Sequence, residues 1–288
     1  MKRQAFMQLM HFILVALLTA VLTACGSKPP ASNAAATFAQ TSMHRGATAF
    51  VRGDLSGARH EYARALNVYE SLDDTKGRAG ALLSLSRIAS QSGNHTDALA
   101  TVNKVLAEPA ALDSATLVTA YGRAAAIYLT QGNTAMAERQ LASATALCGA
   151  ACPDAVALTV LRARAALAQQ QPSAALLLTG QALAMPVLAA SSTPTLKPQA
   201  NAERANALRL RAQAQLALRQ PEAALAAASE ALQLDRALGL ADRVLLDLRL
   251  LSQVHASAGS TESARHYQLL ADRAESASNA LRDSTQAN

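Results

Sequence analysis

From residue 34 onward, stretches of helical apolar spacing alternate with short polar breaks, and the breaks repeat. Gly53-Asp54-Leu55-Ser56-Gly57-Ala58 is answered by Gly93-Asn94-His95-Thr96-Asp97-Ala98, by Gly132-Asn133-Thr134-Ala135-Met136-Ala137 and by Gly259-Ser260-Thr261-Glu262-Ser263-Ala264. Two altered copies lie between them, Gln170 to Ala175 and Arg219 to Ala224. In these, Pro172 or Pro221 opens the following helix, a position where proline's missing N–H costs nothing. The breaks begin at 53, 93, 132, 170, 219 and 259, spaced by 40, 39, 38, 49 and 40 residues. Seven residues after each closing Ala stands another compact residue: Ala65, Val105, Ala144, Ala182, Ala231 and Ala271. Seven residues return a helix to nearly the same face, so both positions let a neighbouring helix approach closely.

Each unit therefore reads as a helix, a tight turn and a second, antiparallel helix. Gly supplies the left-handed cap, and the Asn or Asp behind it caps the next helix. A pair amphipathic on two sides cannot bury both faces by itself, so stability requires stacking. The pattern predicts an all-α solenoid of about six helix pairs. Composition agrees: 51% of residues are hydrophobic but only 3% aromatic, with no Trp. The apolar content is mostly Ala and Leu, which suit close helix packing better than strands.

These residues resemble the tetratricopeptide repeat, over roughly positions 38 to 276. The matches are Gly53-Asp54, Ala58, Tyr62 and Ala65; then Ser86, Gly93 and Ala98; then Ala125, Tyr128, Gly132, Ala137 and Ala144. The family's large aromatic in the first helix is absent, Tyr121 being the nearest, and its closing Pro is mostly missing. Periods of 38 to 40 exceed the family's usual length of about 34, which predicts helices extended by about a turn. The resemblance implies a right-handed superhelix whose first helices line a concave, protein-binding face.

The ends of the chain add an address. Lys2 and Arg3 precede an apolar run, Phe12 to Ala24, too short for a permanent span. Leu22-Thr23-Ala24-Cys25 resembles the bacterial lipobox, which implies cleavage after residue 24 and lipidation (diacylglycerol and a fatty acid such as palmitate) of Cys25. No Asp follows Cys25, so the analogy points to the outer membrane and a periplasm-facing chain. The expected organisation is a signal peptide at 1–24, a Pro/Ser tether at 25–33, repeats one to four at 34–185, a loop at 186–200, repeats five and six at 201–276 and a tail at 277–288. Pro186, Pro194 and Pro198 mark the loop, read as a surface insertion in preference to a hinge between four units and two.

Chemistry changes the picture little. The net charge of +6, or +4 without Lys2 and Arg3, is a mild excess, and the few aromatics offer no stacking platform, so nucleic acid is not expected. Cys148 and Cys152, in Cys-Gly-Ala-Ala-Cys-Pro, read as a structural disulfide in an oxidising compartment, with two free thiols as the alternative. His44, His60, His95, His255 and His266 are scattered, and neither HExxH nor GxSxG occurs. No catalytic or metal residue, no cofactor and no enzyme activity is expected. Register with the family's groove positions picks out Arg87, Arg123, Arg164, Arg209 and Arg249. A row of guanidiniums suits carboxylates, hence an acidic peptide or another envelope protein as partner; a merely solvated Arg face is the alternative. The overall plan resembles pilotin lipoproteins of type IV pilus assembly. The expected function is a membrane-anchored scaffold or assembly factor, or alternatively an accessory subunit that localises an envelope enzyme, such as one acting on peptidoglycan.

Overall fold

The structure, a computed structural model, describes residues 33–149, 152–185 and 196–286, without the side chains of 196–199 and 281–286. The expected signal peptide, Cys25, the tether as far as residue 32 and residues 186–195 of the loop lie outside the described residues. Asn33, the last residue assigned to the tether, caps the first helix: its side chain accepts from the backbone N–H groups of Ala35 and Ala36.

Six antiparallel pairs follow one another. They are α1 (Ala34–Val51) with α2 (Leu55–Ser71), α3 (Thr75–Gln91) with α4 (His95–Leu106), α5 (Ser114–Thr130) with α6 (Thr134–Leu147), α7 (Ala155–Ala168) with α8 (Pro172–Ala184), α9 (Leu196–Ala217) with α10 (Pro221–Ala237), and α11 (Ala241–Ser257) with α12 (Thr261–Gln286). Among the described residues there is no strand, and no helix is long and apolar enough to cross a membrane.

The turns explain the pairing. Gly53, Gly93, Gly132 and Gly259 have φ of 81°, 81°, 75° and 75°, and the two glycine-less copies adopt the same backbone, with Gln170 and Arg219 at φ 59°. In each turn the next N–H reaches back across the helix end: Asp54 to Ala49 O, Asn94 to Ala89 O, Asn133 to Tyr128 O, Gln171 to Ala166 O, Gln220 to Gln215 O and Ser260 to His255 O. This bond satisfies a carbonyl that the helix itself leaves free. Asp54, Asn94 and Asn133 then cap the following helix, whereas Pro172 and Pro221 begin theirs without a side-chain cap. Asp73 (φ 51°) and Gly239 (φ 68°) make two further turns of this kind, joining unit one to two and five to six.

Left-handed backbone strains a residue with a Cβ, and both Gln170 and Arg219 point to solvent. Gln170→Gly and Arg219→Gly are each expected to raise the unfolding free energy by roughly 0.5–1 kcal/mol. The check is a higher urea midpoint at unchanged slope; a lower midpoint would mean that these side chains hold something the backbone does not.

Packing follows the small-residue register. Ala58, Ala98, Ala137, Ala175 and Ala224 are fully buried, as are Ala65, Ala144, Ala231 and Ala271, with Val105 and Ala182 nearly so. Each helix packs on the next, and first helices pack on the following first helices, α3 on α5, α5 on α7, α7 on α9 and α9 on α11. The core is accordingly a chain of separate apolar clusters, not a single centre. One polar device recurs: Ser86 Oγ donates to Ala98 O, and Ser252 Oγ to Ala264 O, both at 2.9 Å, tying a first helix to its second.

Two expected boundaries move. Helix α9 begins at Leu196, inside the loop assigned to 186–200, because Pro198 sits in its first turn, where a missing N–H leaves no bond unmade. Helix α12 continues through the tail assigned to 277–288 as far as Gln286; no Gly or Pro interrupts that stretch. The extra length over the family repeat lies partly in first helices of 17 or 18 residues, in units one to three and six.

Candidate ligand-binding groove

The first helices α3, α5, α7, α9 and α11 carry the five arginines picked out by register, and the structure gives those arginines three different fates. Arg87, on α3, lies over the Phe50 ring, its guanidinium carbon 4.2 Å from the ring centre. Arg123, on α5, makes no hydrogen bond or ion pair among the described residues, and its Nε is buried without a partner. Arg164, on α7, donates to Thr130 Oγ1 at 3.1 Å. Burial lowers the pKa of all three, and that of Arg123 to about 10. They remain charged at neutral pH, and among the described residues no carboxylate forms an ion pair with any of them, although Glu203 acts on Arg87 and Arg123 and Asp154 on Arg123 from a distance. Water still reaches Arg87, which is exposed.

Arg209 is withdrawn from the groove. It is only 8% exposed, and it joins three helices: Nε donates to Asp247 Oδ1 at 2.6 Å, Nη2 to Asp247 Oδ2 at 3.3 Å and to Asp235, and Nη1 to Asn206 Oδ1 at 3.0 Å. One cation serving two buried carboxylates is a structural tie between α9, α10 and α11, and it corrects the expectation that Arg209 faces a ligand. Arg249 pairs with Glu275 at 2.8 Å, both partly exposed, an arrangement that contributes little to stability.

The buried triad carries a net charge of −1, with one Asp235 oxygen left unpartnered. Burial, working against the pull of Arg209 and aided by the neighbouring Asp235, pushes Asp247 up to about 6. A carboxylate in the unfolded chain titrates near 3.9. The folded state therefore takes up this proton first, and the triad becomes more stabilising as pH falls through about 6 and levels off below about 4. Melting temperatures between pH 7.5 and 5 should show this rise in the wild type and lose it in Asp247→Asn; an equal slope in both would assign the proton elsewhere.

Residues far apart in sequence complete the groove. Gln91 Nε2, one turn beyond Arg87, donates to Asp242 Oδ2 at 3.1 Å, so unit six touches unit two across the opening. The next residue, Arg243, donates to Ala202 O at 3.1 Å and lies close enough to Arg87 to depress its pKa. Glu203 is the acidic group within reach of both Arg87 and Arg123. Nothing in the repeat register announces Arg243, Glu203 or the Gln91 contact, because only the curvature of the stack brings them together. Asp247 did carry a signal, as an acid inside the apolar helical run Leu245-Leu246-Asp247-Leu248, whereas Asp235, between Gln233-Leu234 and Arg236, did not.

Elsewhere, Cys148 and Cys152 form a disulfide with Cα atoms 5.2 Å apart, at the connection between α6 and α7. His255 stacks on Tyr267 at 5.2 Å, and His266 meets the same ring edge-on. Among the described residues no three His, Cys, Asp or Glu side chains are grouped to hold a metal.

The fold is that of tetratricopeptide-repeat proteins. Among solved structures, the chain is similar to a protein of the APC/C hetero-tetramer Cut9-Hcn1, with 16% identity and a TM-score of 0.55 over 81% of this chain and 42% of that one. It thus spans under half of that relative's length. It is also similar to BtubC (BKLC) from P. vanneervenii, with 15% identity and a TM-score of 0.55 over 83% of this chain and 92% of that one. A tetratricopeptide repeat protein from Parabacteroides merdae aligns more loosely, with 14% identity and a TM-score of 0.43 over 87% and 99% of the two chains. No protein-family model matches the chain, and no curated protein matches it.

Proposed function

We propose that the protein is a non-catalytic scaffold, anchored through a lipid on Cys25 at the periplasmic face of the outer membrane, that holds a protein or peptide segment in the groove of its solenoid. One observation carries the reading: Arg123, on a first helix of the six-unit stack, has its Nε buried without a hydrogen-bond partner, and among the described residues no carboxylate is bonded to it, Glu203 and Asp154 acting on it only at longer range. A cation in that state is stabilised by an acidic partner. Lys2, Arg3 and the lipobox-like Leu22-Thr23-Ala24-Cys25 support the anchor.

The test is crosslinking and pull-down of the full chain from its native envelope, comparing wild type with Arg87→Gln/Arg123→Gln/Arg164→Gln. Arg209 stays intact, because its loss would report folding instead of binding. Defined partners that disappear in the variant, while its circular dichroism is unchanged, support the groove. Equal recovery would leave these arginines as a solvated face and move the interaction to another surface. Cys25→Ser should release the chain from the membrane fraction; retention there would refute the lipid anchor.

A further inference from the structure

The groove's cations do not belong to one arm of the stack. Arg87 and Arg123 come from units two and three, Arg243 from unit six, and the Gln91–Asp242 hydrogen bond pins the two arms together beside them. Like charges brought this close repel, and Glu203 is shared between Arg87 and Arg123. Two bonds brace the C-terminal arm and its contact, Arg243 to Ala202 O and Gln91 to Asp242, both at 3.1 Å. Neither neutralises a guanidinium: one ends on a carbonyl, and the other joins a neutral amide to an acid. The contact between the arms is small for the charge it must hold together.

We propose that a carboxylate-bearing extended segment of a partner is the keystone of this contact: it binds between Arg87, Arg123 and Arg243 and thereby closes unit six onto unit two. This rests on the groove reading and adds to it a ligand chemistry and a coupling. Guanidinium forks match carboxylates in pairs of parallel hydrogen bonds, and a carboxylate between opposed arms removes their repulsion as it binds. A ligand that prefers the closed arrangement shifts the stack towards it by its difference in affinity for the two states. Without the ligand, the arms separate more often at the Gln91–Asp242 contact.

The experiment uses the full chain in detergent and a fluorescent oligo-Glu peptide, with its Gln counterpart as the neutral control. The Glu peptide should bind and the Gln peptide should not. Arg123→Gln and Arg243→Gln should each weaken binding roughly ten- to a hundredfold, while Arg123→Lys retains part of it. Arg139→Gln, an exposed position on α6, should have no effect. Hydrogen exchange with the peptide bound should slow at both sides of the contact together, at the end of α3 and the start of α11. Citrate serves as the free polycarboxylate: if it outcompetes the peptide at the same arginines, the carboxylate site stands and its source is a small molecule. Protection on one arm only, or binding unaffected by Arg243→Gln, overturns the bridging site. If the native-envelope partners still depend on Arg87, Arg123 and Arg164 while no carboxylate binds, this inference fails and the groove reading survives.

Discussion

Arg209→Met is expected to lower the unfolding free energy by about 3–5 kcal/mol, the largest loss foreseen for any single substitution here. The side chain of Met fills comparable space, so the effect comes from Asp235 and Asp247, both fully buried, which lose their shared cation. Two unpaired carboxylates cannot both stay ionised there. The variant should therefore recover part of its stability as pH falls, more steeply than the wild type. Because each unit packs its apolar core only on its neighbours, with Gln91–Asp242 a polar contact between units two and six, the damage should be local. Amide exchange should accelerate in α9 to α12 while α3 to α6 keep their protection. Uniform loss across the array would show that the stack unfolds as one cooperative body, and a loss below about 1 kcal/mol would show that the triad is relaxed by water.

Ala137→Leu is expected to cost about 1–3 kcal/mol. Ala137 is fully buried on α6 among Val118, Ala125, Leu129 and Leu141, where the close approach of helices leaves no room for three more carbons. The exposed neighbour Ala135 provides the comparison: Ala135→Leu should stay within about 0.5 kcal/mol of wild type. Guanidinium-chloride unfolding of the two variants decides it. A mild effect at Ala137 would mean that the register of small residues reflects an Ala-rich chain and not a packing requirement.

That register was legible because it is local. Helix, left-handed turn and capping Asn or Asp are settled within a few residues of one another, so positions 53, 93, 132 and 259 could be aligned by inspection. Pro172 and Pro221 marked two more turns even without Gly. The turn at Asp73 escaped because an Asp in left-handed backbone has no distinctive sequence signature, and the start of α9 escaped because Pro198 reads as a breaker although a first turn accepts it. The arginine row was legible as a row, but not in its uses. Arg87, Arg123, Arg164, Arg209 and Arg249 stand six, nine, six, ten and ten residues before their breaks, roughly one face of the first helix, yet which of them meets an acid depends on residues contributed by other helices.

The sequence by itself determined the unit: two helices, their turn, the small residues at their contact, and six copies of the whole. Those features follow from backbone geometry and helical periodicity, which act over at most a few turns. The tertiary structure alone decided where the stack bends back on itself. It joined Gln91 to Asp242, set Arg243 opposite Arg87, locked Arg209 between two aspartates and left Arg123 Nε buried without a hydrogen-bond partner. Curvature accumulates from small rotations at every interface between units, so pairings across 151 residues are properties of the assembled stack and of no segment within it.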